Sequence, residues 1–188
     1  MVIPFLLVLT VVILVVGVVQ IINIANNFYV LKTLIERAES NIDVLISQRF
    51  DELKKLLAVA REYEMHESTI ISEITEVLRG FQQADTIVKR VLLNQNVDKF
   101  TEAFQKAVAN IPELRASENY LQIQSRISEL ETSISDRYEH YNDSVTKYNA
   151  NLSIFPNNII GRIMGLDRKI LFKFDEDKKN IDKLFEVE

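Results

Sequence analysis

The two histidines are the residues whose chemistry could involve a metal ion. His66 follows Glu62 by four residues, and a helix would place this carboxylate and imidazole on one face. Two ligands do not complete a metal site, and the same residues also fit a polar hinge between two helices. His140 lies near Asp136 and Asp143, which is the pattern of a solvated charge cluster. The sequence therefore predicts no metal and no cofactor, although the fold could still bring the two histidines together.

A repeat of tyrosine and asparagine is the most specific polar pattern in the chain. Tyr141-Asn142 recurs seven residues later as Tyr148-Asn149. Seven residues are almost two helical turns, so the two pairs lie one above the other on a helix. We expect the rings to fill the seam of a helical bundle and the amides to satisfy buried polar groups or fix the helix register. The alternative is a polar pocket for a small ligand.

A second candidate motif is Phe155-Pro156-Asn157-Asn158. Proline disfavours helical geometry in the residue before it, so a helix should end here. The two asparagines then fit a turn and a helix cap better than a binding pocket. Both motifs are candidate interaction or structural sites. No catalytic residue is proposed, because the sequence has no Gly-rich phosphate loop and no nucleophile elbow, and the chain is predicted not to be an enzyme.

Composition favours long helices. The 188 residues include only four glycines and three prolines, which leaves little turn material for a many-stranded sheet. The net charge of -5 with mixed signs gives no basic surface of the kind that nucleic acid requires, so no nucleic-acid partner is expected. With no cysteine, disulfides and thiolate chemistry are excluded.

The N-terminus has the composition of a membrane span. Between Val2 and Ile22 the only polar side chains are Thr10 and Gln20, and no charge precedes Lys32. These residues rise about 31 Å as a helix, which matches a bilayer core. A signal peptide would have a basic start and a shorter apolar stretch. Because cytoplasmic flanks prefer basic residues, we expect a single pass through the cell membrane with the N-terminus outside and the remaining domain in the cytoplasm.

Apolar residues at steps of three and four predict four amphipathic helices. The first continues from the anchor to about Tyr63, and the others cover about 68–94, 97–110 and 117–154. The predicted fold class is all-α, with an N-terminal transmembrane helix followed by an antiparallel four-helix bundle whose first and fourth helices are long. The stripe of the fourth helix contains Tyr120, Ile123, Ile127, Leu130, Ile134, Tyr138, Tyr141, Val145, Tyr148, Leu152 and Phe155.

Three ordered segments carry a family resemblance. They are Ile111-Pro112-Glu113-Leu114-Arg115-Ala116-Ser117-Glu118-Asn119-Tyr120-Leu121-Gln122-Ile123-Gln124, then Tyr141-Asn142-Asp143-Ser144-Val145-Thr146-Lys147-Tyr148-Asn149, then Phe155-Pro156-Asn157-Asn158. Together they resemble the LemA family. The family has a proline in its first bundle helix, whereas the stretch here, Arg49-Phe50-Asp51-Glu52-Leu53-Lys54-Lys55-Leu56, has none. The resemblance implies an anchored helical bundle, without an established catalytic activity, in a family that includes members associated with membrane organisation.

The predicted organisation has three parts: residues 1–27 as transmembrane anchor and interface, 28–166 as a LemA-like bundle and 167–188 as a charged amphipathic tail. The tail fits either a partner-binding or self-docking segment or an unstructured terminus. The predicted function is a membrane-anchored, non-catalytic scaffold or interaction module that binds the bilayer and protein partners or copies of itself. The alternative is a module that binds a small ligand or metal within the bundle.

The number of helices also predicts where the second motif lies. Short connections make neighbouring helices antiparallel, so an even number of them returns the chain to the membrane. The return would bring Phe155 and the apolar residues after it close to the lipid headgroups. These residues are Ile159, Ile160, Ile163 and Met164.

Overall fold

The structure, a computed structural model, describes residues 2–63 and 68–172. Regular structure in this part of the chain is entirely helical, which confirms the all-α prediction. The described chain forms two compact units, one from the N-terminus to Ala38 together with Glu139–Phe172, and one from Glu39 to Tyr138. The helices are α1 (Val2–Glu62), α2 (Ser68–Gln83), α3 (Ile87–Val108), α4 (Pro112–Arg115), α5 (Glu118–Asn151) and α6 (Asn157–Ile163).

Helix α1 combines an apolar span with an amphipathic helix. Its N-terminal part has a mean hydropathy of 3.1 and is not buried at all, and within the described residues α1 is the one helix long and apolar enough to cross a membrane. From Phe28 onward one face is buried, with Phe28, Ile35 and Ile42 seven residues apart. The helix passes without a break through residues 49–56, a stretch that contains no proline.

The first unit packs the carboxyl-terminal part of α5 and helix α6 on α1. The ring of Phe28 meets the ring of Tyr148 edge to face, with centroids 6.1 Å apart. Helix α6 approaches closely at Gly161, where a Cβ atom would lie 2.6 Å from Leu152 and 3.6 Å from Phe28. This contact explains why a glycine occupies the middle of a seven-residue helix despite its low helix propensity.

The second unit packs α2 and α3 on the later part of α1. Phe50 and Phe81 stack with centroids 3.9 Å apart, and the guanidinium of Arg90 lies 5.1 Å from the centre of the Phe81 ring. Arg90 Nη1 also donates to both carboxylate oxygens of Asp43, over 2.7 and 2.9 Å. An aromatic stack and a shared arginine therefore join three helices at one place.

The break between the second and third helices lies earlier than the sequence pattern suggested. The predicted helix over 68–94 ends at Gln83, and α3 runs continuously through residues 95 and 96, where a gap was expected. Thr86 explains the new start, because its Oγ1 accepts the Lys89 N–H over 3.3 Å as an N-cap. Asn94, at the predicted end of the second helix, lies inside α3, where it is buried and accepts a hydrogen bond from Arg49.

The last long helix is shorter than the predicted 117–154. Ser117 caps its start, with Oγ accepting the Tyr120 N–H over 3.5 Å, but the helix ends at Asn151. Phe155, predicted in the apolar stripe, is instead 75% exposed. The proline after it has no N–H to donate, so residues 152–156 form turns that lead into α6.

Candidate functional site

Asn142 and Asn149 on α5 both hold the main chain of a later segment. Asn149 Nδ2 donates to the Lys169 carbonyl over 2.8 Å, and its Oδ1 accepts the Lys169 N–H over 2.9 Å. Asn142 repeats this pairing with Phe172, over 2.7 and 2.9 Å. Each amide therefore satisfies one main-chain donor and one main-chain acceptor, and it does so with two separate atoms, an oxygen that accepts and a nitrogen that donates.

The spacing of the two asparagines matches an extended chain. Seven residues rise about 10.5 Å along a helix, and the three steps from Lys169 to Phe172 span about 10 Å when the chain is extended. The later residue pairs with the earlier asparagine, so the segment runs antiparallel to α5. The seven-residue spacing of Asn142 and Asn149 therefore matches the distance between main-chain groups that are three residues apart in an extended segment.

Tyr141 adds one polar and one aromatic contact to the same segment. Its hydroxyl donates to the Ile170 carbonyl over 3.0 Å. Its ring stacks on Phe172, with centroids 4.3 Å apart and planes inclined by 17°. We call Tyr141, Asn142 and Asn149 the clamp, and residues 169–172 the clamped segment.

The end of α6 directs the chain into the clamp. Gly165 has φ 65°, a conformation that favours glycine, and its N–H donates to the Arg162 carbonyl over 3.1 Å. The Leu166 N–H donates to the Gly161 carbonyl over 3.0 Å, which completes a Schellman motif. Tail residues up to 172 therefore dock on α5, while residues 173–188 lie outside the described part of the chain.

Tyr148 does not belong to the clamp. It is buried against Phe28, and its burial, followed by the nearby negative charge of Asp167, raises the pKa of its hydroxyl. The two tyrosines of the repeat thus differ: Tyr148 packs on α1, and Tyr141 contacts the clamped segment.

The motif at residues 155–158 forms a different arrangement. Asn157 Nδ2 donates to Asn151 Oδ1 over 3.1 Å, and Asn27 Nδ2 donates to the same oxygen over 3.3 Å. The predicted cap is wrong, because Pro156 occupies the cap position of α6 and no side chain caps the helix there. Instead, three asparagine side chains connect the end of α5 and the start of α6 to α1.

A cavity of about 400 Å³ is lined by residues of α6, among them Asn158 in its first turn, and by the residues that follow the helix. Arg162 and Arg168 supply positive charge to its lining, and Asp167 supplies a negative charge. Arg168 Nη2 also donates to Ser153 Oγ over 2.8 Å. The cavity is separate from the clamp and shares no lining residue with it.

Sequence reasoning missed the most deeply buried polar residue, Arg49. It is 1% exposed and donates to Asn94 Oδ1 over 3.2 Å, to Asp98, and to Glu131 Oε2 over 3.3 Å. A signal was present, because Arg49 follows Ile42 and Ile46 at steps of seven and three, within the buried stripe of α1. A charged residue in such a stripe indicates a buried ionic network.

Tyr138 belongs to the same polar cluster. Burial is the main cause that raises the pKa of its hydroxyl well above the ordinary value of 10.0, and the charge of Asp98 adds to this rise. A hydrogen bond with Asn94 and the charge of Arg49 act in the opposite direction. The phenol is therefore held in its neutral, protonated form.

The described residues do not bring together a set of metal ligands around His140. His140 is exposed, and no group of three or more potential metal ligands comes together within residues 2–63 and 68–172. Glu62 is exposed at the end of α1, and its predicted partner His66 lies outside the described residues.

Comparison with known proteins extends the resemblance seen in the sequence. A protein from Metamycoplasma hominis named Protein LemA is 26% identical over 143 residues, which cover 76% of this chain. The alignment covers 65% of that relative, so the chain spans less than two thirds of the length of the protein it matches. The family model described as the LemA family matches residues 38–185. The chain therefore belongs to the LemA family.

Proposed function

We propose that this chain is a membrane-anchored, non-catalytic helical scaffold that binds protein partners or copies of itself. The observation that carries the proposal is the clamp, in which α5 holds another stretch of polypeptide through its main-chain groups. Membership of the LemA family supports a membrane-associated protein. The family's link with membrane organisation, implied by the resemblance, fits a scaffold that is tethered to a bilayer.

The tether is the apolar part of α1. We infer a single pass with the N-terminus outside the cell and the bundle in the cytoplasm. The exposed apolar side chains up to Ile22 support the span, and the restriction of basic residues to positions from Lys32 onward supports the orientation. A bilayer would cover the large apolar surface that the fold leaves exposed.

For residues 28–166, the part of the chain after the proposed membrane span, we infer an antiparallel four-helix bundle. In the first unit, Asn27 pairs with Asn151 and Phe28 with Tyr148, so α5 runs antiparallel to α1. In the second unit, α3 follows the direction of α1, because Asp43 meets Arg90 and the later residue Arg49 meets Asn94. These directions support an arrangement with alternating helices.

Binding of a small ligand or metal within the bundle has less support. Both clamp amides already bind main-chain groups of Lys169 and Phe172, and a small ligand at this site would have to displace them. An enzyme is also not proposed, since the site holds no nucleophile beside a base.

Photo-cross-linking in cells tests the scaffold proposal. A photoreactive phenylalanine analogue replaces Ala150, which is exposed beside Asn149, and for comparison Arg137, which is exposed elsewhere on α5. A scaffold should give discrete protein adducts at Ala150 that remain in the membrane fraction. If position 150 gives no adducts beyond those at position 137, this surface does not bind proteins and the proposal fails.

A further inference from the structure

We propose that the clamp is a binding site for an extended peptide of a partner protein, and that the clamped segment is its built-in competitor. The proposal rests on the scaffold function and names the kind of partner. The partner peptide runs antiparallel to α5 and carries an aromatic residue three positions after the residue that Asn149 holds.

Recognition of the main chain is the first step. Five hydrogen bonds join the clamp to the clamped segment, and on the side of the segment each involves a main-chain atom of Lys169, Ile170 or Phe172. A polypeptide of another sequence presents the same donors and acceptors when it adopts the backbone conformation of residues 169–172 and has no proline at the two positions whose N–H groups the asparagines accept. The clamp therefore recognises a backbone conformation, as grooves that bind extended peptides do.

The aromatic residue is the one side chain that the clamp selects. Phe172 stacks on Tyr141, whereas Ile170 is 75% exposed and Leu171 is 41% exposed. Lys169 is exposed as well. The identities of these three residues contribute little to docking, so a peptide of different sequence replaces them without loss if it keeps the aromatic residue.

Tethering makes the clamped segment a strong competitor. Only the turn at Gly165 and the residues up to Arg168 separate it from α6, so its effective concentration at the clamp is high. A free peptide binds only the fraction of clamps that is open, and its apparent affinity falls by that fraction. Weakening the segment should therefore strengthen binding of a peptide in trans.

Fluorescence anisotropy on the full chain in lipid nanodiscs tests the inference. The probe is a labelled synthetic peptide with the sequence of residues 166–172. The Phe172→Ala protein should bind it at least tenfold more tightly than the unmodified protein, and adding Asn142→Ala and Asn149→Ala should abolish binding. Equal affinity of the Phe172→Ala and unmodified proteins would overturn the proposal.

Modified peptides separate main-chain from side-chain recognition. A peptide with N-methyl groups at the positions of Lys169 and Phe172 keeps every side chain but loses both N–H donors, and it should not bind. A peptide with alanine at the positions of Lys169, Ile170 and Leu171 should bind as well as the parent. Binding of the N-methylated peptide, or failure of the alanine peptide, contradicts backbone recognition.

A second variant protects the test if the Phe172→Ala protein fails to fold. Lys169→Pro removes a single exposed N–H that Asn149 accepts, and it should also increase peptide affinity.

Two differently tagged copies in one nanodisc show whether a second copy donates the segment. Co-purification that is lost with Phe172→Ala would make a second copy the occupant and overturn a separate partner. Failure of peptide binding leaves the adducts at Ala150 unaffected, so the scaffold proposal is judged separately.

Discussion

Asn149 and Lys169 are joined by two hydrogen bonds of opposite direction, 20 residues apart in the sequence. The amide oxygen accepts the Lys169 N–H while the amide nitrogen donates to the Lys169 carbonyl. Aspartate would lose the donor, and alanine would lose both atoms. An asparagine here is consequently explained by the main chain that it binds, and the same reasoning applies to Asn142 and Phe172.

Removal of a clamp amide should release the clamped segment without unfolding the helices. Asn149→Ala or Asn142→Ala deletes two hydrogen bonds, which lowers the free energy of local opening by about 1 to 3 kcal/mol. Amide hydrogen exchange of Lys169 or Phe172 should then accelerate by about 5- to 150-fold. Exchange monitored by mass spectrometry measures this change. Asp143→Ala, an exposed change beside Asn142, is the matched control, and equal exchange in both variants would show that the amides do not hold the segment.

Substitutions of the two carboxylates around Arg49, Asp98 and Glu131, should have non-additive effects on the free energy of unfolding. Asp98 and Glu131 are 45% and 56% exposed at their side chains, whereas the arginine side chain is 1% exposed. Loss of either acid leaves one counter-ion, but loss of both leaves a buried cation beside a neutral asparagine. We expect each single alanine variant to cost less than about 1 kcal/mol and the double variant about 3 to 5 kcal/mol, which is more than the sum of the two single costs. Denaturant unfolding of the detergent-solubilised chain gives these values.

Two controls identify the source of this coupling. Asp51→Ala breaks the exposed pair with Lys54 and should change the free energy of unfolding by less than about 1 kcal/mol. Arg49→Leu removes the buried charge and keeps an apolar side chain in the stripe, so it should be milder than loss of both acids. If the single costs add up to the double cost, the proposed charge network does not operate.

Tyr138 should make the protein sensitive to alkaline pH. Because burial raises its pKa above 10.0 in the folded state, the folded protein keeps a proton that the unfolded chain releases. Its contribution to stability is therefore fully present below pH 10.0 and is lost as the pH rises above it. Tyr138→Phe should reduce the fall in unfolding free energy by about 1.4 kcal/mol per pH unit in this range. Urea unfolding from about pH 8 to pH 11 measures the slopes, and identical slopes would refute the assignment.

The sequence pattern identified which side chains share a face, but it did not identify their partners. The seven-residue spacing correctly placed Asn142 and Asn149 together, because helix geometry is local. Their partners lie 20 to 30 residues later and reach α5 only through α6 and the turn at Gly165. Local periodicity carries no information about such a return of the chain.

The sequence also contains residues that indicate the helix break at Thr86 and the buried position of Arg49, but other features of the sequence favoured a different interpretation. Thr86 is a good N-cap, yet the apolar residues on both sides of it continued the helical spacing across the break. Arg49 occupies a buried position in the apolar stripe of α1, although a charged side chain is usually exposed. The neutral asparagine Asn94 resembled a helix stop, and only the fold shows that it bonds to Arg49 inside a helix.

The final prediction is that helix α6 lies at the surface of the bilayer. Gly161 packs close to Phe28, which is six residues, or about 9 Å of helix, beyond the end of the apolar run at Ile22. Phe155 and Ile163 are 75% and 80% exposed in this region, and an apolar surface beside a membrane span is covered most simply by lipid.

Depth-dependent fluorescence quenching tests this placement, and the absence of native cysteine allows single labelling sites. One cysteine replaces Asn158, beside the start of α6, and another replaces Glu62, which is forty residues or about 60 Å of helix beyond Ile22. Lipids brominated along the acyl chain should quench the label at 158 and leave the label at 62 bright. Equal quenching at the two positions would contradict a return of the chain to the membrane. The variant with Ile159→Ser and Ile163→Ser should lose quenching at 158 while the protein stays in the membrane fraction, because the proposed span in α1 is unchanged.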